Sequence, residues 1–194
     1  MFVNYSIIQS LQRLSASEAA ALVENEFHRL SGNQLAYLAH KLSRHPDTVC
    51  RLVTRIDEQC MWRTMTARDR CSALISLARS GRVIHLNGVD DISRMSNFRH
   101  REIAGIAWAL STLHAKYPID AFIGMFMKTA ESAKGVDFAQ LSVAACADAD
   151  LSTLPVFLKR LMESIDDGLD LTNVDIIVLA SSLYTLSHRL YLFV

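Results

Sequence analysis

Seven arginines crowd one stretch of this chain, and their chemistry is the plainest it offers. Arg51, Arg55, Arg63, Arg68, Arg70, Arg79 and Arg82 fall within residues 41–82, where nine basic side chains meet four acidic ones and eight of the nine are arginine. A guanidinium combines a fixed charge with a planar fork of donors, which suits phosphate oxygens. These seven are candidate contacts to RNA phosphates. The plain alternative is a solvated face, or a contact with an acidic neighbour. Net charge over the chain is zero, but residues 1–100 hold 13 Lys+Arg against 9 Asp+Glu, and residues 101–194 hold 7 against 11. No general attraction to nucleic acid is expected, only a local one.

Trp62 sits in the basic connector WRTMTARDR at residues 62–70. An arginine beside an exposed aromatic can stack on bases. The reading preferred here is that Trp62 plugs a gap between helices. Other chemistry is thinly represented. Glu24 and His28 stand four apart on one helix face, too few groups for a metal or for acid–base work. His40, His45, His85, His100, His114 and His188 show no ligand spacing. Cys50, Cys60, Cys71 and Cys146 form no CxxC pair and mostly lie on apolar stripes, as reduced core residues do. There is no phosphate loop, dinucleotide fingerprint, GxSxG elbow or HExxH. The sequence predicts no enzyme, metal, cofactor or small-molecule substrate.

The elements that must carry these residues are helices. Hydrophobic content is 51%, with only 7 glycines and 3 prolines, and alternating apolar–polar runs are nearly absent. The central stretch is Arg101–Leu113, REIAGIAWALSTL, with Ile103, Ile106, Ala107, Leu110 and Leu113 on one stripe around the bulky Trp108. The pattern apolar-x-x-apolar-small-x-x-apolar recurs at Leu35, Leu38, Ala39 and Leu42, and at Ile176, Leu179, Ala180 and Leu183. It recurs loosely at Cys71, Leu74, Ile75 and Ala78. It also recurs at Leu141, Ala144 and Ala145, where Asp148 breaks it. The anchors at 35, 71, 103, 141 and 176 repeat at roughly 35 residues, a spacing of helical solenoids.

Ser31 with Gln34, Asp137 with Gln140, and Thr172 with Asp175 give capping-box spacings four residues before their anchors. Thr66 with Asp69 gives the same signal one residue early, a slip of one. The central repeat shows no such cap. Partner helices are expected at 17–30, 47–60, 120–134 and 153–167, with Pro46, Pro118 and Pro155 at their starts. Gly81, Gly135 and Gly168 are expected to close helices as left-handed C-caps. Residues 82–97 are irregular, with an Asn87–Gly88 turn and a short or displaced helix. The predicted fold is all-α: a single 1–194 domain, a right-handed superhelical solenoid of helix-turn-helix repeats with a hinge or irregularity at 82–97. Repeat packing falls to Leu35, Leu38, Leu42, Cys71, Leu74, Ile103, Ile106, Trp108, Leu110, Leu141, Ile176, Leu179 and Leu183.

Residues 1–16 are amphipathic and hold Arg13 as their one charge. They read as a helix covering the first repeat or as a targeting segment. Residues 176–194 are the most apolar stretch, yet short of a membrane span. The apolar end LYLFV is expected to be covered by another chain, since solenoid ends need polar capping.

The phrase EIAGIAWALSTL at 102–113 resembles the second helix of organellar helical-repeat proteins. These are the octotricopeptide and heptatricopeptide repeat families and the repeats preceding RAP domains in FAST-kinase-like proteins. Ala107-Trp108-Ala109-Leu110 carries the match; Leu35–Leu42 and Ile176–Leu183 echo it without the tryptophan. The resemblance implies an RNA-associated scaffold of the mitochondrial matrix. The leading expectation is a structural subunit of a mitochondrial ribonucleoprotein such as the mitoribosome, contacting rRNA and neighbouring proteins. The alternative is a protein–protein adaptor in another mitochondrial assembly, such as a respiratory complex.

Overall fold

Five helix starts set the spacing of the elements. In the computed structural model, which describes residues 15–93, 98–148 and 153–191, helices α2, α4, α6, α8 and α10 begin after Ser31, Thr66, Arg99, Lys134 and Thr172. These caps lie 35, 33, 35 and 38 residues apart. At each one, the cap's carbonyl accepts from the amide four residues on: Leu35, Arg70, Ile103, Phe138 and Ile176. The reach-back half of a capping box recurs as well. Gln34 Oε1 accepts from Ser31 N at 2.8 Å, Glu102 from Arg99 N at 2.7 Å, Asp137 from Lys134 N at 2.9 Å and Asp175 from Thr172 N at 3.0 Å. At Thr66 the other half is made: its Oγ1 accepts from Asp69 N at 3.2 Å.

Two expectations are corrected by these caps. The fourth repeat begins at Lys134, not Asp137, so its stripe is Phe138, Leu141, Ser142 and Ala145, all buried. Asp148 no longer interrupts it. Ser142 turns its hydroxyl onto the Phe138 carbonyl at 2.8 Å. In the second repeat the cap places Arg70, not Cys71, at the anchor, ahead of buried Ala73, Leu74 and Leu77. Thr172 both donates and accepts across its box, with Thr172 Oγ1 taking Asp175 N at 3.2 Å. Thr172→Ala is expected to cost about 1 kcal/mol, read as a lower urea midpoint; an unchanged midpoint would show the cap to be dispensable.

Every regular element among the described residues is helical. Ten α-helices appear: α1 (Ala16–Glu26), α2 (Gly32–Lys41), α3 (Pro46–Glu58), α4 (Ala67–Ser80), α5 (Val89–Ser93), α6 (His100–Thr112), α7 (Ile119–Met127), α8 (Gly135–Asp148), α9 (Leu154–Asp166) and α10 (Asn173–Tyr191). Short 3₁₀ turns follow α1, α3 and α7. Pro46 and Pro155 lie in first turns, and Pro118 caps α7. Gly81 and Gly168 adopt φ of 68° and 87° beyond the ends of α4 and α9, the left-handed geometry that spares glycine a Cβ clash. Gly135 does not close a helix; it opens α8, where a Cβ would lie 2.7 Å from the Asp170 carbonyl oxygen.

The chain divides into two compact units at Ile92 and Ser93, inside the stretch read as irregular. In the first, α2 packs on α3 and on α4, and α3 on α4. Their shared core holds Leu35, Leu38, Leu42, Leu52, Ile56, Trp62, Leu74 and Leu77. In the second, α8 packs against both α6 and α10, while α7 meets α6, α8 and α9. Phe126, Phe138 and Phe157 bring α7, α8 and α9 together, each at 0% exposure. No helix among the described residues is long and apolar enough to cross a membrane. Residues 1–14, for which a covering helix or targeting segment is expected, lie outside the described residues, as does the side chain of Glu24.

Candidate nucleic-acid interface

The seven arginines do not form one surface. Arg51 and Arg55 stand one turn apart on α3, Arg51 exposed and Arg55 half-buried. Arg68 and Arg79 are exposed on α4. Eleven residues separate them, three helical turns, so they share a face about 16 Å apart along the axis. Among the described residues neither makes an ion pair. Arg63 pairs with Asp91 at 2.9 Å, and Arg82, in the loop after α4, pairs with Asp47 of α3 at 2.7 Å. The Arg82–Asp47 pair is solvated on both sides, and such pairs contribute little, whereas exposed Arg63 meets an Asp91 side chain only 18% exposed. The hydrogen bond and charge of Asp91 hold the Arg63 guanidinium above its ordinary pKa.

Arg70 departs from the expected role. It is 2% exposed, and its guanidinium donates to the Asp91 carbonyl at 2.6 Å. Burial pushes its pKa down, with the Asp91 charge offsetting part of that effect. At the anchor position of α4 it points into the protein, out of a phosphate's reach. Asp91, which sequence reasoning passed over, thus receives two arginines, Arg63 on its carboxylate and Arg70 on its backbone.

Trp62 is wholly buried, so it plugs the space between helices and offers no ring to a base. Its indole Nε1 donates to Asp57 Oδ1 at 2.8 Å. Asp57 also takes the backbone amides of Asn87 and Gly88, each at 2.8 Å, and Asn87 Nδ2 at 3.2 Å. This buried carboxylate ties the Asn87–Gly88 turn, in the stretch read as irregular, back onto α3. Its signal was legible: an acid directly following the apolar stripe Val49, Leu52, Val53 and Ile56.

The packing residues divide. Leu35, Leu38, Leu42, Cys71, Leu74, Ile103, Ile106, Leu110, Leu141 and Leu179 are buried. Trp108 is only partly covered. Ile176 and Leu183, expected to pack, are 49% and 36% exposed. α10 instead turns Asp175, Leu179, Ser182 and Leu186 inward. Among the described residues the extensive packing of α10 is against α8, whereas α6 packs on both α7 and α8. Of the ten exposed large hydrophobic side chains among the described residues, eight lie on α9 and α10, so exposure is concentrated on the last helix pair.

His100 Nε2 lies 3.6 Å from the buried carboxylate of Asp137. Among the described residues no group of three or more His, Cys, Asp or Glu is placed to hold a metal ion. An open cleft of about 590 Å³ beyond α6 is lined by Ser111, His114, Lys116, Tyr117 and small neighbours, without an arranged set of reacting groups. No family model, no curated protein and no solved structure matches this chain.

Proposed function

We propose that this chain is a non-catalytic helical-repeat scaffold associated with RNA, a structural subunit of a mitochondrial ribonucleoprotein such as the mitoribosome. The observation that carries the reading is the spacing of 33 to 38 residues between the five helix caps Ser31, Thr66, Arg99, Lys134 and Thr172. A right-handed solenoid of helix-turn-helix repeats is the architecture this spacing favours. The match of Ala107-Trp108-Ala109-Leu110 to organellar repeat proteins supports RNA as the partner and the mitochondrial matrix as the place. Arg51, Arg68 and Arg79 are the exposed candidates for phosphate contact, with Arg63 and Arg82 able to exchange an acidic partner for a phosphate. Arg70 is a packing residue.

The test is sedimentation of the native protein from organelle lysate, with and without ribonuclease. Migration with a heavy particle that ribonuclease collapses is the expected result. The double variant Arg68→Glu, Arg79→Glu is expected to keep its stability within about 0.5 kcal/mol, because both sites are exposed, and to lose association. With purified RNA the salt dependence is expected to flatten by about one unit of slope per contact removed. A light profile indifferent to ribonuclease would sink the RNA reading. It would favour the second one, a protein–protein adaptor in another mitochondrial assembly, for which the apolar surface of α9 and α10 speaks.

A further inference from the structure

We infer that the outer face shared by α2 and α4 in the first unit docks single-stranded RNA, with bases stacked on Tyr37 and His40. This rests on RNA being the partner and adds where the strand lies. Both helices bury the same positions counted from their caps. Leu35, Leu38 and Leu42 follow Ser31 by 4, 7 and 11 residues, and Arg70, Ala73 and Leu77 follow Thr66 by the same steps. Both stripes turn toward the core that the two helices share with α3.

The two helices also run side by side in the same direction. A Cβ on Gly32, the first residue of α2, would fall 2.7 Å from Cγ of Met65, which immediately precedes the Thr66 cap. At the other end, Arg82 beyond α4 reaches Asp47 in the first turn of α3, which follows α2 by a turn of residues 42–45. Parallel neighbours in the same phase present the same outer positions on one side, with axes about 8–10 Å apart.

What stands on that side suits an unpaired strand. Half-buried Tyr37 and exposed His40 lie one turn apart on α2, with exposed Arg44 in the turn beyond. Arg68 and Arg79 stand exposed on α4. The outer positions, 2, 6, 9 and 13 residues after each cap, hold no carboxylate on either helix. Asp69, next to Arg68, is drawn to its own cap, where Thr66 Oγ1 donates to it at 2.7 Å. Two rings among three guanidinium groups combine a stacking platform with phosphate contacts. Bases in a duplex stay stacked on one another, so only an unpaired strand can use the rings. An acidic protein would meet the charge and leave the rings unused. The repeat alone does not dictate this face. On α8 and α10 the positions 2, 6 and 9 residues after the caps are Val136, Gln140 and Val143, and Val174, Val178 and Ser181, without charge or ring.

The test is binding of the purified full chain to a fluorescein-labelled oligouridylate of about 12 nucleotides, at several salt concentrations. Tyr37→Leu is expected to bind about 5- to 150-fold more weakly at every salt concentration, the worth of one stacked base. Tyr37→Phe, which keeps the ring, is expected to bind as the wild type does. Arg44→Ala is expected to flatten the salt dependence by about one unit of slope. Lys159→Ala, the same charge lost from the exposed surface of α9, is expected to leave it unchanged. Circular dichroism checks that Tyr37→Leu stays folded, and exposed Arg44→Ala decides the matter if it does not. Equal binding by the wild type, Tyr37→Leu and Arg44→Ala would overturn this face and leave RNA to another surface. No binding by the wild type at low salt would overturn the RNA reading along with it. Equal affinity for a duplex of the same length would overturn the single-stranded assignment, and equal competition by polyglutamate would give the face to an acidic protein.

Discussion

Asp57→Ala is expected to destabilise the first unit by about 2–4 kcal/mol, as leaving several buried or part-buried donors without their acceptor does. Asp57 is 4% exposed, and its two oxygens take four donors: Trp62 Nε1, the amides of Asn87 and Gly88, and Asn87 Nδ2. Four acceptor positions is the whole capacity of a carboxylate. Alanine leaves the buried indole and two part-buried backbone amides without that acceptor. Asp57→Asn separates charge from shape. Its one carbonyl oxygen can serve two donors, but its amide group faces the other two, so a smaller but definite loss is expected. The neighbourhood leaves no room to rearrange: a Cβ on Gly88 would fall 2.3 Å from Trp62 Cδ1 and 2.9 Å from Asp57 Oδ1. The check is urea denaturation together with amide exchange. Exchange at residues 86–90 should accelerate before that of α2 to α4. A loss under 1 kcal/mol would show that this carboxylate does not hold the loop.

The second large effect is expected at Phe126. Its ring meets Phe138 at 5.2 Å and 80°, and Phe157 at 6.5 Å and 67°, while Phe138 and Phe157 lie 6.3 Å apart. All three are wholly buried. Phe126→Ala removes the shared member of two edge-on pairs and opens a cavity bordered by three helices. A buried Phe→Ala change costs about 3–5 kcal/mol, and each aromatic pair about 0.5–1.5 kcal/mol of that beyond area alone. Calorimetry on the variant should show a clearly lowered transition, and exchange should rise in α7, α8 and α9. Phe126→Leu, which refills most of the volume, should recover more than half of the loss. A drop below about 1.5 kcal/mol, the low edge for large-to-small core changes, would mean that α8 is held by α6 and α10 without the ring cluster.

The helical class and the positions of most helix starts were legible because stripe and cap are both local signals. Ser31, Thr66 and Thr172 announce helix starts with side chains that can accept a backbone amide. Arg99 and Lys134 cannot, so at those two starts only the returning carboxylates of Glu102 and Asp137 mark the place. Reading Asp137 as the cap itself shifted the fourth stripe by three residues. The arginine cluster was legible as charge and not as exposure. Composition registers Arg70 beside Arg68, but two positions along a helix turn a side chain by more than half a circle. Asp57 lay in view on its stripe, while its partners at 87 and 88 arrive only through tertiary folding. For α10 the pattern located an apolar stripe and said nothing of whether a helix would come to cover it.

Arg70 also limits how interchangeable these repeats are. At the same position after the cap the other four carry leucine, isoleucine, phenylalanine and isoleucine. After Thr66 the guanidinium reaches past that position to the carbonyl of Asp91, in the middle of a helix only five residues long. Leucine at 70 would leave the Asp91 carbonyl without its guanidinium donor. Of the five capped helix starts this one is therefore the least exchangeable, because its side chain four residues after the cap is matched to one carbonyl 21 residues further along the chain.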